Sequence, residues 1–141
     1  MAVNLFAEGA VVSAKVLNTA DIFSAHMAEV TKDAENWASF LSLAARMYKY
    51  SFVDQVLIHA QRPDAIACAS FDFWNSRMQR WVKRGSKGIA LIDRTNPQNP
   101  RLKYVFDIQD TSQSRSNTAT PYIWRMEQEH RPHVKKTLAE V

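Results

Sequence analysis

The alternation of apolar and polar residues changes period twice along this chain. From Thr19, the positions Ile22, Phe23, His26, Met27 and Val30 recur at helical spacing, with Thr19 as the expected N-cap and Asp21 in the first turn. A stronger helical pattern runs from about Asp33 to Tyr48. There Trp37, Phe40, Leu41, Ala44 and Tyr48 form one continuous stripe, expected to face the core. Ser51 caps a third predicted helix over 52–61, with Phe52, Val56 and Leu57 inward and Pro63 just past its end. The lead, residues 1–18, is apolar but weakly patterned. A short strand, a docking arm and a disordered lead all fit it.

Beyond Pro63 the periodicity shortens. The small apolar run 65–70 is too brief for a helix and reads as a buried strand, and Asp72 is placed to cap a short helix carrying Phe73, Trp74 and Met78. Residues 80–88 read as a strand running into a tight glycine turn. Ile89 to Ile92 is a strand apolar on both faces, 96–100 a loop by its Asn and Pro content, and 102–108 a further strand. Residues 80–108 are therefore expected to form a hairpin or meander. From Gln109 to Thr120 the chain turns polar, giving a predicted linker or flap over 113–121, and 122–141 reads as one or two helices interrupted at Pro132. There are no internal repeats. The expected fold class is α+β, with N-terminal helices on a small, mostly antiparallel sheet followed by C-terminal helices. The main domain spans 19–112, between the arm at 1–18 and the linker.

Composition narrows the classes. With 141 residues, 46% of them hydrophobic, the chain has the length of one domain and enough apolar side chains to fill a core, which excludes disorder throughout. The single cysteine, Cys68, excludes an internal disulfide framework and a four-cysteine zinc site. No apolar run approaches the roughly 18–20 residues that span a bilayer, and the N-terminus lacks the pattern of a secretory signal. The expectation is a soluble, cytoplasmic domain with no membrane partner.

Net charge is +4, but residues 71–107 alone carry an excess of five positive charges. In this segment Trp74, Trp81 and Tyr104 are interleaved with Arg77, Arg80, Lys83, Arg84, Lys87 and Lys103. Cations that track a phosphate backbone and aromatic faces that stack on bases are the two ingredients of single-stranded nucleic-acid binding. Within 83–88, Gly85 and Gly88 flank Ser86 and Lys87 and would let backbone N–H groups approach a phosphate. Trp74, near the end of a short helix, reads as core. For Trp81 a core position and a stacking platform both stay open, since Arg80, Lys83 and Arg84 keep that strand near solvent.

Catalytic patterns are absent from the sequence: no His-Glu-x-x-His, no phosphate-binding P-loop, no dinucleotide fingerprint and no nucleophile elbow. His26, His59, His130 and His133 have no companion ligands at metal spacing, so neither a metal nor another cofactor is expected. Cys68 reads as a core thiol. Asp107 and Asp110 form the one conceivable carboxylate pair, and strand-end capping explains them equally well.

The order of these segments resembles a known family. Residues 51–65 (Ser-Phe-Val-Asp-Gln-Val-Leu-Ile-His-Ala-Gln-Arg-Pro-Asp-Ala), then Trp74, then Val82 to Ile89, then Val105 to Thr111 are similar in order and spacing to the N-terminal domain of ArdC-type antirestriction proteins. They are similar also to related modules in large proteins of conjugative elements. The resemblance covers roughly residues 33–112. It implies an α+β module that binds single-stranded DNA and is carried by mobile elements. The zinc metalloprotease-like domain of such proteins, with its His-Glu-x-x-His helix, has no counterpart here. Many relatives carry Asn where this chain has Asp54, and an acidic group facing DNA there would weaken binding. The resemblance marks the 83–88 turn as the phosphate contact. It gives Gln61 either a base edge or, preferably, the end of its own helix, and assigns Asp107 and Thr111 to pinning the last strand.

The expected function is thus non-catalytic binding of single-stranded DNA in transfer of a mobile element or evasion of host defence. The contacts would come from Arg77, Arg80, Trp81, Lys83, Arg84, Ser86, Lys87, Lys103 and Tyr104. One rival is an anti-defence inhibitor that binds a host restriction or CRISPR nuclease directly, with Arg125, Glu127, Glu129 and Arg131 of the tail as contact surface. The other is a metal-dependent nuclease built on Asp107 and Asp110.

Overall fold

Ser13, not Thr19, starts the first helix. In the computed structural model, which describes residues 4–113, 123 and 127–140, the Ser13 hydroxyl accepts from the backbone N–H of Val16 and α1 runs over Ala14–Val30. Thr19 lies inside it and donates its hydroxyl to the Lys15 carbonyl at 3.0 Å. The helix begins early because Ser13 meets the orphan N–H groups of its first turn before Thr19 is reached. Asp33 and Ser51 cap α2 (Ala34–Arg46) and α3 (Phe52–Gln61), as their sequence positions predict.

The arm at 4–12 docks. Leu5 is buried, Phe6 and Val12 pack on the core, and Val11 donates to the Gln98 carbonyl at 2.8 Å. Helix α3 is the centre of the molecule. Val56, Leu57 and Ile58 are fully buried between α1, α2 and the sheet, so truncating any of them to Ala would cost about 2–5 kcal/mol.

The outward face of α2 departs from the predicted stripe. Phe40, Leu43 and Met47 point into the core, whereas Trp37, Leu41 and Tyr48 are exposed. All six positions fit a helical period. Which of two neighbouring apolar faces is covered depends on where α3 docks. Phe52, predicted inward, is exposed as well, edge-on to Phe40.

Two small antiparallel sheets follow. β1 (Cys68–Ala69), β3 (Ile89–Asp93) and β4 (Arg101–Asp107) form a three-stranded sheet in the order β1-β4-β3. β2 (Arg80–Val82) pairs with β5 (Thr111–Gln113) in a separate ribbon. The expected continuous hairpin over 80–108 is therefore corrected: only β3 and β4 form it, while β2 crosses to a strand beyond β4. Residue 113, expected in the linker, belongs to that strand. The rest of the predicted linker, 114–121, lies outside the described residues, as do Tyr122 and Arg125.

Between β1 and β2 the chain makes a short π-helical turn, Phe73–Arg77. Asp72 forms no side-chain cap there, and the Ser70 hydroxyl takes that role by accepting from Phe73 N–H. Trp74 is 1% exposed and donates its indole N–H to the Phe106 carbonyl at 2.8 Å, which makes it a core residue. In the tail, Pro132 sits in the first turn of α4 (Arg131–Ala139), where its missing N–H removes no helical bond. It starts this helix rather than interrupting it. The fold is α+β, and no helix among the described residues is long and apolar enough to cross a membrane.

Candidate nucleic-acid interface

The basic turn is built by two glycines with different tasks. Ser86 N–H donates to the Lys83 carbonyl at 3.1 Å, closing a β-turn in which Gly85 takes φ +84°, a conformation L side chains rarely adopt. Gly88 is required for a different reason. A Cβ placed there would stand 3.1 Å from Cδ1 and 3.2 Å from Cβ of Tyr104, and 3.3 Å from Cζ of Phe106. The Tyr104 ring thus lies directly against the end of the turn.

Trp81 stands at the other end. Residues directly opposite in the β2–β5 ribbon are Arg80 with Gln113, Trp81 with Ser112 and Val82 with Thr111. Alternation puts Arg80 and Val82 on one face and Trp81 on the other. Trp81 is 54% exposed and Tyr104 50% exposed, so the turn is bracketed by two half-exposed rings.

The cations divide into three groups. Arg77, Arg84 and Lys87 are exposed and form no ion pair with any described residue. Arg80 and Lys83 are held by neutral acceptors rather than by carboxylates. Arg80 donates from Nε to Thr111 Oγ1 at 2.8 Å and from a terminal nitrogen to Gln113 Oε1 at 3.3 Å, while Lys83 Nζ donates to the Gln109 carbonyl at 3.1 Å. Lys103 is different. Its ammonium lies 3.7 Å from the largely buried Asp54 carboxylate.

Strand alternation explains the separation of Lys103. Along β4, Lys103, Val105 and Asp107 share the face toward α3, and Tyr104 and Phe106 share the opposite face. The structure therefore sets Tyr104 against Gly88 at the end of the turn that carries Lys83, Arg84, Ser86 and Lys87, with Trp81 two residues before that turn in β2, Arg80 on the opposite face of β2, and Arg77 four residues ahead of Trp81. Lys103 is not among them. Ser86 is half-buried, and its role is to close the turn through its backbone.

Gln61 is fully used within the fold. Its amide donates to the carbonyls of Leu57 and Ala90, and its Oε1 accepts from Ala90 N–H at 2.9 Å. It ties the end of α3 to β3, pairing an otherwise open sheet edge, and offers nothing to a base.

Asp107 is fully buried and accepts from Ile66 and Ala67 N–H at 2.7 and 2.9 Å, and from the Gln109 side chain at 2.7 Å. Thr111 holds the same corner by donating to the Ile108 carbonyl at 2.7 Å. Asp110 is paired with Arg62 at 3.0 Å. Both carboxylates are thus committed to structure, and among the described residues no group of three or more His, Cys, Asp or Glu could hold a metal ion. Cys68 is a partly covered thiol whose pKa is pushed well up, first by burial and then by the Asp107 carboxylate beside it.

A histidine pair escapes sequence reasoning. His26 Nε2 of α1 and His59 Nδ1 of α3 lie 2.7 Å apart, and Ser39 Oγ of α2 is 3.2 Å from His59 Nε2. Burial holds both imidazoles below their ordinary pKa. In His26 this is opposed by Glu29, and in His59 it is reinforced by His26 and then Arg46. The two rings are 33 residues apart in sequence, so no local spacing signals them.

No family model matches this chain, and neither does any curated protein or solved structure with which it was compared.

Proposed function

We propose that the protein is a non-catalytic module that binds single-stranded DNA with little sequence preference. The observation that carries this reading is the bracketed basic turn. Arg84 and Lys87 are exposed on it and form no ion pair among the described residues, and the half-exposed rings of Trp81 and Tyr104 flank it. Unpaired cations release condensed counterions when phosphates dock, and exposed rings supply sequence-tolerant stacking of about 1–3 kcal/mol per base. The resemblance to ArdC-type N-terminal domains supports a role for this binding in the cytoplasm, in transfer of a mobile element or its defence against host nucleases. Lys103, paired with Asp54 on the far face of β4, is left out of the contact set.

The test is a fluorescence-anisotropy titration of a labelled single strand and its duplex at several salt concentrations. Single-strand preference with steep salt dependence is expected. Joint replacement of Arg84 and Lys87 by Ala should flatten the log–log salt slope by about 1.4, two phosphates at about 0.7 each. An unchanged slope overturns the assignment of these two cations.

A second reading, direct inhibition of a host restriction or CRISPR nuclease, draws support from the exposed apolar face of Trp37, Leu41 and Phe52. Co-elution with such a nuclease in the absence of DNA, abolished by Trp37→Asp, would favour it.

A further inference from the structure

Away from the basic turn, a crevice of about 320 Å³ opens between the end of α2 and the π-helical turn. Its lining includes Arg46, Tyr48 and Lys49 from the end of α2 and the turn after it, Phe73 and Met78 from the π-helical turn and its cap, and Cys68 of β1. Tyr48 is 57% exposed and Phe73 46% exposed, although both belong to a rim that a packed core would cover. The lining holds two cations and no carboxylate. Arg46 is anchored by its bonds to the carbonyls of Ala65 and Ser42, while the Lys49 ammonium rests 5.8 Å from the Tyr48 ring centroid and has no acidic partner among the described residues. A lining that is mostly apolar and includes the Tyr48 and Phe73 rings suits a flat ring, and its two cations suit an anion attached to it. The volume lies at the low end for ligand sites, about 300–1,000 Å³, which is room for one nucleotide and not for a folded segment.

We infer that this crevice receives one unpaired base of a bound strand, stacked on Tyr48 and Phe73 with its phosphate on Lys49. The inference rests on the single-stranded-DNA reading and extends it to a second contact. Continuity with the first contact comes from the chain itself. The π-helical turn that contributes Phe73 to the lining ends at Arg77 and is followed by β2 with Trp81, and Met78 and Trp81 are no more than about 11 Å apart along the backbone.

The experiment is a residue-resolved NMR titration of the full chain with hexathymidylate, paired with anisotropy measurements on Tyr48→Ala, Phe73→Ala and Lys49→Ala. Tyr48 and Phe73 are exposed enough for truncation to leave the fold intact, which the spectrum of each variant reports directly. Amide shifts at Tyr48, Lys49, Phe73 and Met78 are expected together with shifts at 81–87, and Tyr48→Ala and Phe73→Ala should each weaken binding about tenfold. Lys49→Ala should flatten the salt slope by about 0.7. Shifts at 81–87 with a silent crevice and unchanged variants overturn this inference and leave the DNA-binding reading standing. Shifts in the crevice alone support it and remove the basic turn as the principal contact. A spectrum unchanged at both places overturns both.

Discussion

Lys103 of β4 reaches across to α3 and holds its ammonium 3.7 Å from the carboxylate of Asp54. This pairing explains how an acidic residue is accommodated in the first turn of α3: it sits at a helix N-terminus, where negative charge is favoured, and faces a cation that strand alternation turns away from Tyr104. The pair is partly exposed on the lysine side, so it contributes only about 0–1 kcal/mol. Asp54→Asn should lower stability by about 1 kcal/mol or less in urea denaturation. Lys103→Ala should leave the salt slope of DNA binding where it is. A drop equal to that produced by Arg84→Ala would return Lys103 to the interface.

The two turn glycines should respond differently to substitution. Gly88→Ala forces Tyr104 or Phe106 to shift, an overpacking cost of about 1–3 kcal/mol, and it should also disturb DNA binding because Tyr104 is the ring displaced. Gly85→Ala meets open space and costs about 1–2 kcal/mol through its positive φ alone, so Gly85→Asn should recover most of that loss. Urea midpoints of the three variants check both statements.

Asp107 is the anchor of the β1–β4 corner. Removing its side chain strands the part-buried N–H groups of Ile66 and Ala67, each costing about 1 kcal/mol or more, so Asp107→Ala should destabilise by about 2 kcal/mol or more. Asp107→Asn keeps an acceptor for both and should lose clearly less. Equal losses in the two variants would mean that the carboxylate charge, rather than the hydrogen bonds, holds the corner.

The imidazole pair between α1 and α3 makes stability sensitive to acid. Burial lowers both pKa values from 6.5, so the unfolded chain binds more protons than the folded one below that pH. Stability from the neutral pair is therefore complete above about pH 6.5 and declines as pH falls through the lowered values. Thermal unfolding followed from pH 8 to 5 should show this decline, and His26→Gln should make it shallower. An identical slope in the variant would assign the acid sensitivity to other groups.

Much of the architecture was legible in the chain because it is encoded locally. Asp33 and Ser51 cap their helices with side chains that reach only three residues ahead, and Ile89 to Ile92 and 102–108 are adjacent strands joined by a short polar loop. Trp74 was readable as core from its place near the end of a short helix, and the basic turn as a turn from its glycines. Even the separation of Lys103 from Tyr104 was implicit, since adjacent strand residues point to opposite faces. What the chain does not encode locally is which surface another element covers. The partner of β2 is a strand some thirty residues on, beyond the β3–β4 hairpin, and only folding brings Val82 to Thr111. The same holds for α2, where two adjacent apolar faces satisfy one period and the docking of α3 buries Phe40, Leu43 and Met47 while leaving Trp37, Leu41 and Tyr48 in solvent. The exposed wall of the crevice, the His26–His59 contact and the pairing of Lys103 with Asp54 all follow from that packing, because each joins residues whose proximity is set by tertiary contacts and by no spacing along the chain.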